Sequence, residues 1–277
     1  MAVTAPTGDI GRSLVRALEP SRAVGRIVGM GRRPYDPASV GLKKTDYLPG
    51  DVLGSTALER LVDGADVVVH RGRPPGGTDG HYSSAQKAEL EGTLRDVLDG
   101  TSTEACVFRP SIVGGSDALA LIQNIPYVTL SEKMPAAVLR ALELLPALKP
   151  VIPDPGVPFQ LVHHDDVATA LRAAVLGRGA PGIYNLAAAG TLTLSDLTDA
   201  LGWYSVPLPE LAVDAAAEVV ARLPFVRSEA QWIEALRESA LMDTTKARRE
   251  LRWRPRHNAR ETLREIVDTA RSERLIR

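Results

Sequence analysis

The chain has 277 residues, 44% hydrophobic and 24% charged, a composition suited to a globular fold of one large domain or a domain plus a lobe. A net charge of −1 argues against nucleic acid or an anionic membrane as partner, and a single cysteine, Cys106, excludes an internal disulfide and a cysteine-built metal cage. No basic-then-apolar leader opens the chain and no apolar run approaches membrane length, so a cytoplasmic protein is expected.

The first element predicted is a short apolar strand, Ala2-Val3. It enters a turn of small residues and runs into an amphipathic helix with Ile10, Leu14, Val15 and Leu18 on one side. A strand, a tight turn and a helix start make an anion site, because the first helical N–H groups lack partners and lie at the positive end of the helix dipole. Gly8 and Gly11 take the second and third positions of a G-x-x-G-x-x-G pattern, with Asp9 and Ile10 between them. At the second position a side chain would block a pyrophosphate, and at the third it would push the helix off the strand. Ala5 stands at the first position and Pro6 follows it. A Cβ there costs about 1 kcal/mol if the turn needs a positive φ, and the proline removes a donor. Taken alone, this loop reads equally well as an ordinary βα turn.

Arg26–Gly31 reads as the second strand. In a dinucleotide fold the residue ending this strand selects the cofactor: an acid binds the ribose 2′-hydroxyl, and arginine accommodates a 2′-phosphate. Here Gly31 is followed by Arg32 and Arg33, which favours NADP over NAD, although two arginines suit a solvated surface loop equally well. Asp46–Val52 is the third strand, and Ser55 caps a helix that runs through Val62. Ala65–His70 is apolar without alternation and reads as a strand buried on both faces. Strands alternating with helices at this spacing predict an α/β fold with a doubly wound parallel sheet.

These stretches, with Gly50-Asp51-Val52, Arg109-Pro110-Ser111-Ile112-Val113-Gly114, His163-His164-Asp165-Asp166-Val167-Ala168, Tyr184-Asn185-Leu186 and the closing run from Asp243 to Pro255, resemble a known family. It is the extended short-chain dehydrogenase/reductase group, the NAD(P)-dependent epimerase/dehydratase family, and the resemblance covers nearly the whole chain. It implies a Rossmann-type sheet, NADP or NAD as cofactor, and oxidoreductase chemistry on a small alcohol or ketone of sugar-, steroid- or polyketide-like class. It assigns Gly8, Asp9, Ile10, Gly11, Arg32, Arg33, Asp51, Val52 and His70 to the cofactor, with Asp51 and Val52 bordering the adenine. Arg109, Ser111 and Val113 would line the nicotinamide and substrate cleft.

The catalytic pair of that family is Tyr-x-x-x-Lys, supported by a Ser or Thr on the preceding strand. The tyrosine exchanges the proton, the ammonium lowers its pKa, and the hydroxyl residue holds the substrate oxygen. The helix expected over Ser83–Leu98 carries Lys87, but Ser83 stands four residues before it, and Tyr82 is the tyrosine on offer. One helical position rotates Tyr82 by about 100° from the lysine's face. Tyr82 and Lys87 are therefore the catalytic candidates only if Tyr82 hangs in the loop before the helix. Between His70 and Tyr82 lies a Gly/Pro-rich linker in which a strand and a helix cannot form, so one helix-strand unit is expected to be absent, and the catalytic Ser/Thr with it. These departures keep open a redox-inactive relative that binds a nucleotide or small molecule, or that catalyses a cyclisation or isomerisation. Family members often pair through the helix carrying the tyrosine and its neighbour. The expected homodimer is weakened accordingly.

Further along, Glu104–Phe108 is read as a strand, Pro135–Leu148 as a helix and Pro150–Pro158 as a proline-stiffened loop. Phe159–Val162 and Gly182–Leu186 are strands, and Val167–Leu176 is a helix with acids at its start. The His163–Asp166 run suits a helix start better than a metal site, since adjacent residues diverge and no further cluster accompanies it. Helices are expected from Thr193 or Ser195 to Leu201, and over Pro209–Leu223, Ser228–Ser239 and Ala259–Ala270. Trp203, Trp232 and Trp253 read as core of a helical lobe, and Cys106, in an apolar run, as core. The expected organisation is a dinucleotide-binding domain over 1–115 and a smaller, mostly helical substrate lobe over 116–277, with 159–187 returning to the sheet.

Overall fold

The computed structural model describes residues 1–51, 55–70, 104–123, 125, 151–208 and 241–276. In chain order they form β1 (Ala2–Thr4), α1 (Asp9–Leu18), β2 (Ile27–Gly31), β3 (Thr45–Pro49), α2 (Ser55–Val62), β4 (Val68–Val69), β5 (Cys106–Pro110), β6 (Ile112–Gly114) and α3 (Ala120–Gln123). Then follow β7 (Val151–Asp154), β8 (Leu161–His163), α4 (His164–Val175), β9 (Gly182–Leu186), α5 (Leu194–Leu201), β10 (Tyr204–Pro207), α6 (Thr245–Glu250) and α7 (Ala259–Ser272). The chain divides into two units. The first joins Met1–Arg109, His164–Tyr184 and Thr244–Arg254; the second joins Pro110–His163, Asn185–Asp243 and Pro255–Arg277.

In the first unit a four-stranded parallel sheet has the order β3-β2-β1-β4. Central β1 is bonded on both sides, Ala2 to Val28 and Val68, Val3 to Gly29 and Val69, and it is wholly buried. Alternation along the strands divides the apolar residues between two faces. Val3 and Ile27 pack with Leu14, Val15 and Leu18 of α1 and Ala168 of α4. Ala2 and Met30 pack with Leu61 of α2. Helices thus cover both faces, as a doubly wound sheet requires. A buried contact of 2.8 Å between Ser13 Oγ and His164 Nδ1 ties α1 to α4.

Three expectations change in this unit. The strand read as buried over Ala65–His70 is only Val68–Val69, and Val68 is 46% exposed, because among the described strands β4 is bonded to β1 alone. Cys106 is half-buried, since it opens β5, which pairs with β9. Trp253 is core of this unit and not of a helical lobe: the turn after α6 carries its indole to the Asp166 carbonyl of α4, 2.8 Å away.

In the second unit β6 and β8 pair in parallel, Ile112 with Leu161 and Gly114 with His163. The stretch read as a proline loop contains β7, which pairs with β10, an element with no counterpart in the sequence reading. Pro153 is tolerated because β7 is bonded on one side only in this pair. α5 and α7 open with capping boxes, Thr193 with Asp196 and Asn258 with Glu261. Their apolar faces build a core of Leu194, Leu197 and Leu201 against Leu263, Ile266 and Val267, with Leu161 and Ile122. Trp203 packs partly against it. The helices expected over Pro135–Leu148, Pro209–Leu223 and Ser228–Ser239, and Trp232, lie outside the described residues. No helix among the described residues is long and apolar enough to cross a membrane.

Candidate functional site

The strand order of the first unit reverses between β1 and β4, and ligands of open α/β sheets bind beyond the carboxyl ends of the strands at such a switch point. The turn from β1 to α1 lies there. Ala5 adopts φ 50°, the left-handed conformation that glycine takes without strain. Its N–H donates to the Met30 carbonyl at 2.8 Å and its carbonyl accepts from Gly8 N–H at 3.2 Å, so both sides of the turn are tied. Pro6 is buried against Gly29, where a Cβ would stand 2.7 Å from the proline ring. A Cβ on Gly11 would fall 2.2 Å from the Ala5 carbonyl oxygen, so only glycine lets α1 start this close to the turn. Gly8 is the N-cap and makes no side-chain hydrogen bond, which leaves the helix start open to an anion, while Asp9 places a carboxylate in the first turn.

The carboxyl ends of the neighbouring strands complete this edge. Thr4 Oγ1 at the end of β1 lies 3.2 Å from Nδ1 of His70, just past β4. Partial burial holds the His70 imidazole below its ordinary pKa and hence neutral near pH 7. Asp51 is exposed just past β3. Arg32 and Arg33 follow β2, are exposed, and have no side-chain partner among the described residues. The Arg33 carbonyl accepts a hydrogen bond from the Tyr47 hydroxyl of β3. The first unit therefore gathers Gly8, Asp9, Ile10, Gly11, Arg32, Arg33, Asp51 and His70 at the ends of β1 to β4.

The remaining candidates divide. Arg109 is exposed near the end of β5 in the first unit. Ser111 and Val113 belong to the second unit, where the Ser111 N–H donates to Leu186 at 2.8 Å and its buried Oγ has no hydrogen-bond partner among the described residues. Val113 sits in β6 opposite Val162. Val52, Tyr82, Ser83, Lys87 and the 71–81 linker lie outside the described residues.

Two polar groupings were missed in the sequence. Tyr47 reaches Arg33 because the parallel register sets it beside Gly29, a relation with no local signal. In the second unit buried His163 meets Glu265 at 3.1 Å and stacks on His257 with centroids 3.9 Å apart. Burial pushes the Glu265 carboxyl up, but the Ser116 hydroxyl and N–H, with His163, outweigh it and hold the group below the ordinary value of 4.5. These partners are 102 and 149 residues apart in the chain, beyond any motif.

Fold and strand order together define a Rossmann-type α/β protein. A nucleoside-diphosphate-sugar epimerase from Pseudomonas aeruginosa superposes with a TM-score of 0.66 at 18% identity, over 100% of this chain and 98% of its own. The UDP-glucuronic acid 4-epimerase of Bacillus cereus, solved in complex with NAD, gives 0.65 at 15% identity over 98% of both chains. The dTDP-glucose 4,6-dehydratase of Bacillus anthracis, also solved with NAD, gives 0.62 at 16% identity over 98% of this chain and 96% of its own. In sequence, uncharacterized proteins of Mycobacterium bovis and Mycobacterium tuberculosis are 30% identical over 276 residues, 96% of this chain. The chain spans 29% of the length of these curated relatives. No family model matches it.

Proposed function

We propose that the chain is a divergent member of the NAD(P)-dependent epimerase/dehydratase family and binds NADP in its first unit as an oxidoreductase of a small alcohol or ketone. The observation that carries this reading is the start of α1 at the switch point, capped by a glycine, beside two exposed guanidiniums at the end of β2 that have no side-chain partner among the described residues. The backbone at Gly8–Gly11 would hold the pyrophosphate, Arg32 and Arg33 the 2′-phosphate, and Asp51 with Val52 would border the adenine. The bound dinucleotide supplies the hydride donor or acceptor. Tyr82 and Lys87 would move the proton. A small-molecule partner and a homodimer accord with the family, as does a cytoplasmic location.

Calorimetric titration with NADPH and NADH tests the reading. NADPH should bind, and Arg32→Ala or Arg33→Ala should weaken it about 10-fold or more while sparing NADH, since each charge-assisted contact contributes about 1.5–3 kcal/mol. Binding of neither cofactor would overturn it.

A second reading, a redox-inactive relative that keeps the cleft for another ligand, draws on the left-handed Ala5, the Asp9 carboxylate in the first turn of α1, and Ser83 four residues before Lys87. Cofactor-dependent turnover of an alcohol that is lost in Lys87→Ala or Tyr82→Phe would exclude it.

A further inference from the structure

Position 31 ends β2, where recognition of a ribose 2′-hydroxyl calls for a carboxylate side chain. In this chain a neighbouring strand occupies that space. Tyr47 lies opposite Gly29 in the parallel register, and a Cβ built on Gly31 would stand 2.9 Å from the Tyr47 hydroxyl. The same hydroxyl donates to the Arg33 carbonyl at 2.5 Å. The ring is braced edge-on by Tyr35, centroids 5.5 Å apart and planes at 74°. Burial pushes both phenols up in pKa, and at Tyr35 it outweighs the opposing pull of Arg16 and Arg12 of α1, so the Tyr47 hydroxyl is a permanent donor at neutral pH. The tyrosine pair therefore does two things at the end of β2: it crowds the Cβ position of residue 31, and it ties down the backbone that carries Arg32 and Arg33.

We infer that Tyr47 is a positioning residue for cofactor choice, excluding an acid from position 31 and holding the Arg32–Arg33 turn so that both guanidiniums meet a 2′-phosphate dianion. The inference rests on the reading that the first unit binds a nicotinamide dinucleotide. Without the hydroxyl the turn gains conformational freedom, and ordering it again on binding costs affinity. That cost falls only on a ligand that uses the arginines. A cofactor without the 2′-phosphate is spared.

The test is calorimetric titration of wild type, Tyr47→Phe and Arg32→Ala with NADPH and with NADH. Tyr47→Phe keeps the ring and its contact with Tyr35. It should weaken NADPH about three- to tenfold, the range of one neutral hydrogen bond, and leave NADH within about twofold. A second pair removes the reliance on one variant. Gly31→Asp alone should weaken both cofactors, whereas Gly31→Asp with Tyr47→Ala should bind NADH more tightly than wild type does. The inference is overturned if Tyr47→Phe leaves the NADPH-to-NADH ratio unchanged or weakens both equally while Arg32→Ala still lowers it; the dinucleotide reading then stands. If wild type binds neither cofactor, the dinucleotide reading falls and the inference with it.

Discussion

Ala5 shows how much one methyl group matters at a turn. Its φ of 50° is a conformation that costs a non-glycine residue about 1–2 kcal/mol. Glycine would remove that strain but would lose about 0.5–1 kcal/mol through the greater freedom of the unfolded chain. Ala5→Gly is therefore expected to stabilise the protein by about 0.5 kcal/mol, a rise of roughly 1–2 °C in Tm. Thermal melts in which the variant falls below wild type would show that the Ala5 methyl contributes packing larger than its strain. Gly11 is the opposite case, because the Ala5 carbonyl leaves no room for any side chain there. The sequence exposed both residues through the spacing of the loop alone, whereas Tyr47 required the strand register.

Among the elements, β9 and α6 are joined by a buried phenol. The Tyr184 hydroxyl lies 2.5 Å from the Ala180 carbonyl and 2.9 Å from Glu250 Oε2, two acceptors for one proton, and Lys246 Nζ sits 4.5 Å above the ring centroid. Burial first, and the Glu250 carboxylate second, push the Tyr184 pKa up to about 12 from 10. A raised folded pKa favours the protonated form, so this contribution to stability is complete below about pH 10 and is lost as pH rises toward about 12. Urea unfolding followed across that window should show a shallower alkaline loss in Tyr184→Phe than in wild type, with a cost at neutral pH of about 1 kcal/mol for the missing hydrogen bond. Parallel slopes would mean that another group governs the alkaline limb. The strand Gly182–Leu186 was predicted with the bounds observed, and the helix ending at Val62 was predicted with Ser55 as its cap where Ser55 is its first residue. Val151–Asp154 was not, because its prolines signal a loop and only its partner Tyr204–Pro207 makes it a strand.

At the scale of the whole molecule, the chain leaves and re-enters each unit more than once, so neither unit is one continuous stretch of sequence. The two carry different sensitivities to pH. Tyr184 makes the first unit vulnerable to base. Glu265 makes the second vulnerable to acid, since its folded pKa lies below the ordinary 4.5 and its stabilising effect is present above that value and lost below it. Glu265→Gln should lose less stability than wild type as pH falls below the ordinary 4.5, as read by chemical denaturation at each pH. An unchanged acid limb would assign the loss to other carboxylates.

Local physics is what the sequence determined by itself. Apolar periodicity, glycine spacing and capping residues each act within a few positions, so β1, α1, β2, α2, β9 and α7 were legible, as was the doubly wound parallel class. The start of α5 was expected at Thr193 or Ser195, and Thr193 takes it because a cap bonds to backbone three residues on. The tertiary structure decided what depends on distant partners: the exposure of Val68 on a strand that pairs with β1 alone among the described strands, the place of Trp253 against α4, the pairing of β7 with β10, and the groups around Arg33 and His163. In a parallel sheet, adjacent strands are joined through long crossovers. The register that sets Tyr47 beside Gly29, and the helix-on-strand packing that brings Glu265 to His163, are therefore properties of packing that no local window of residues contains.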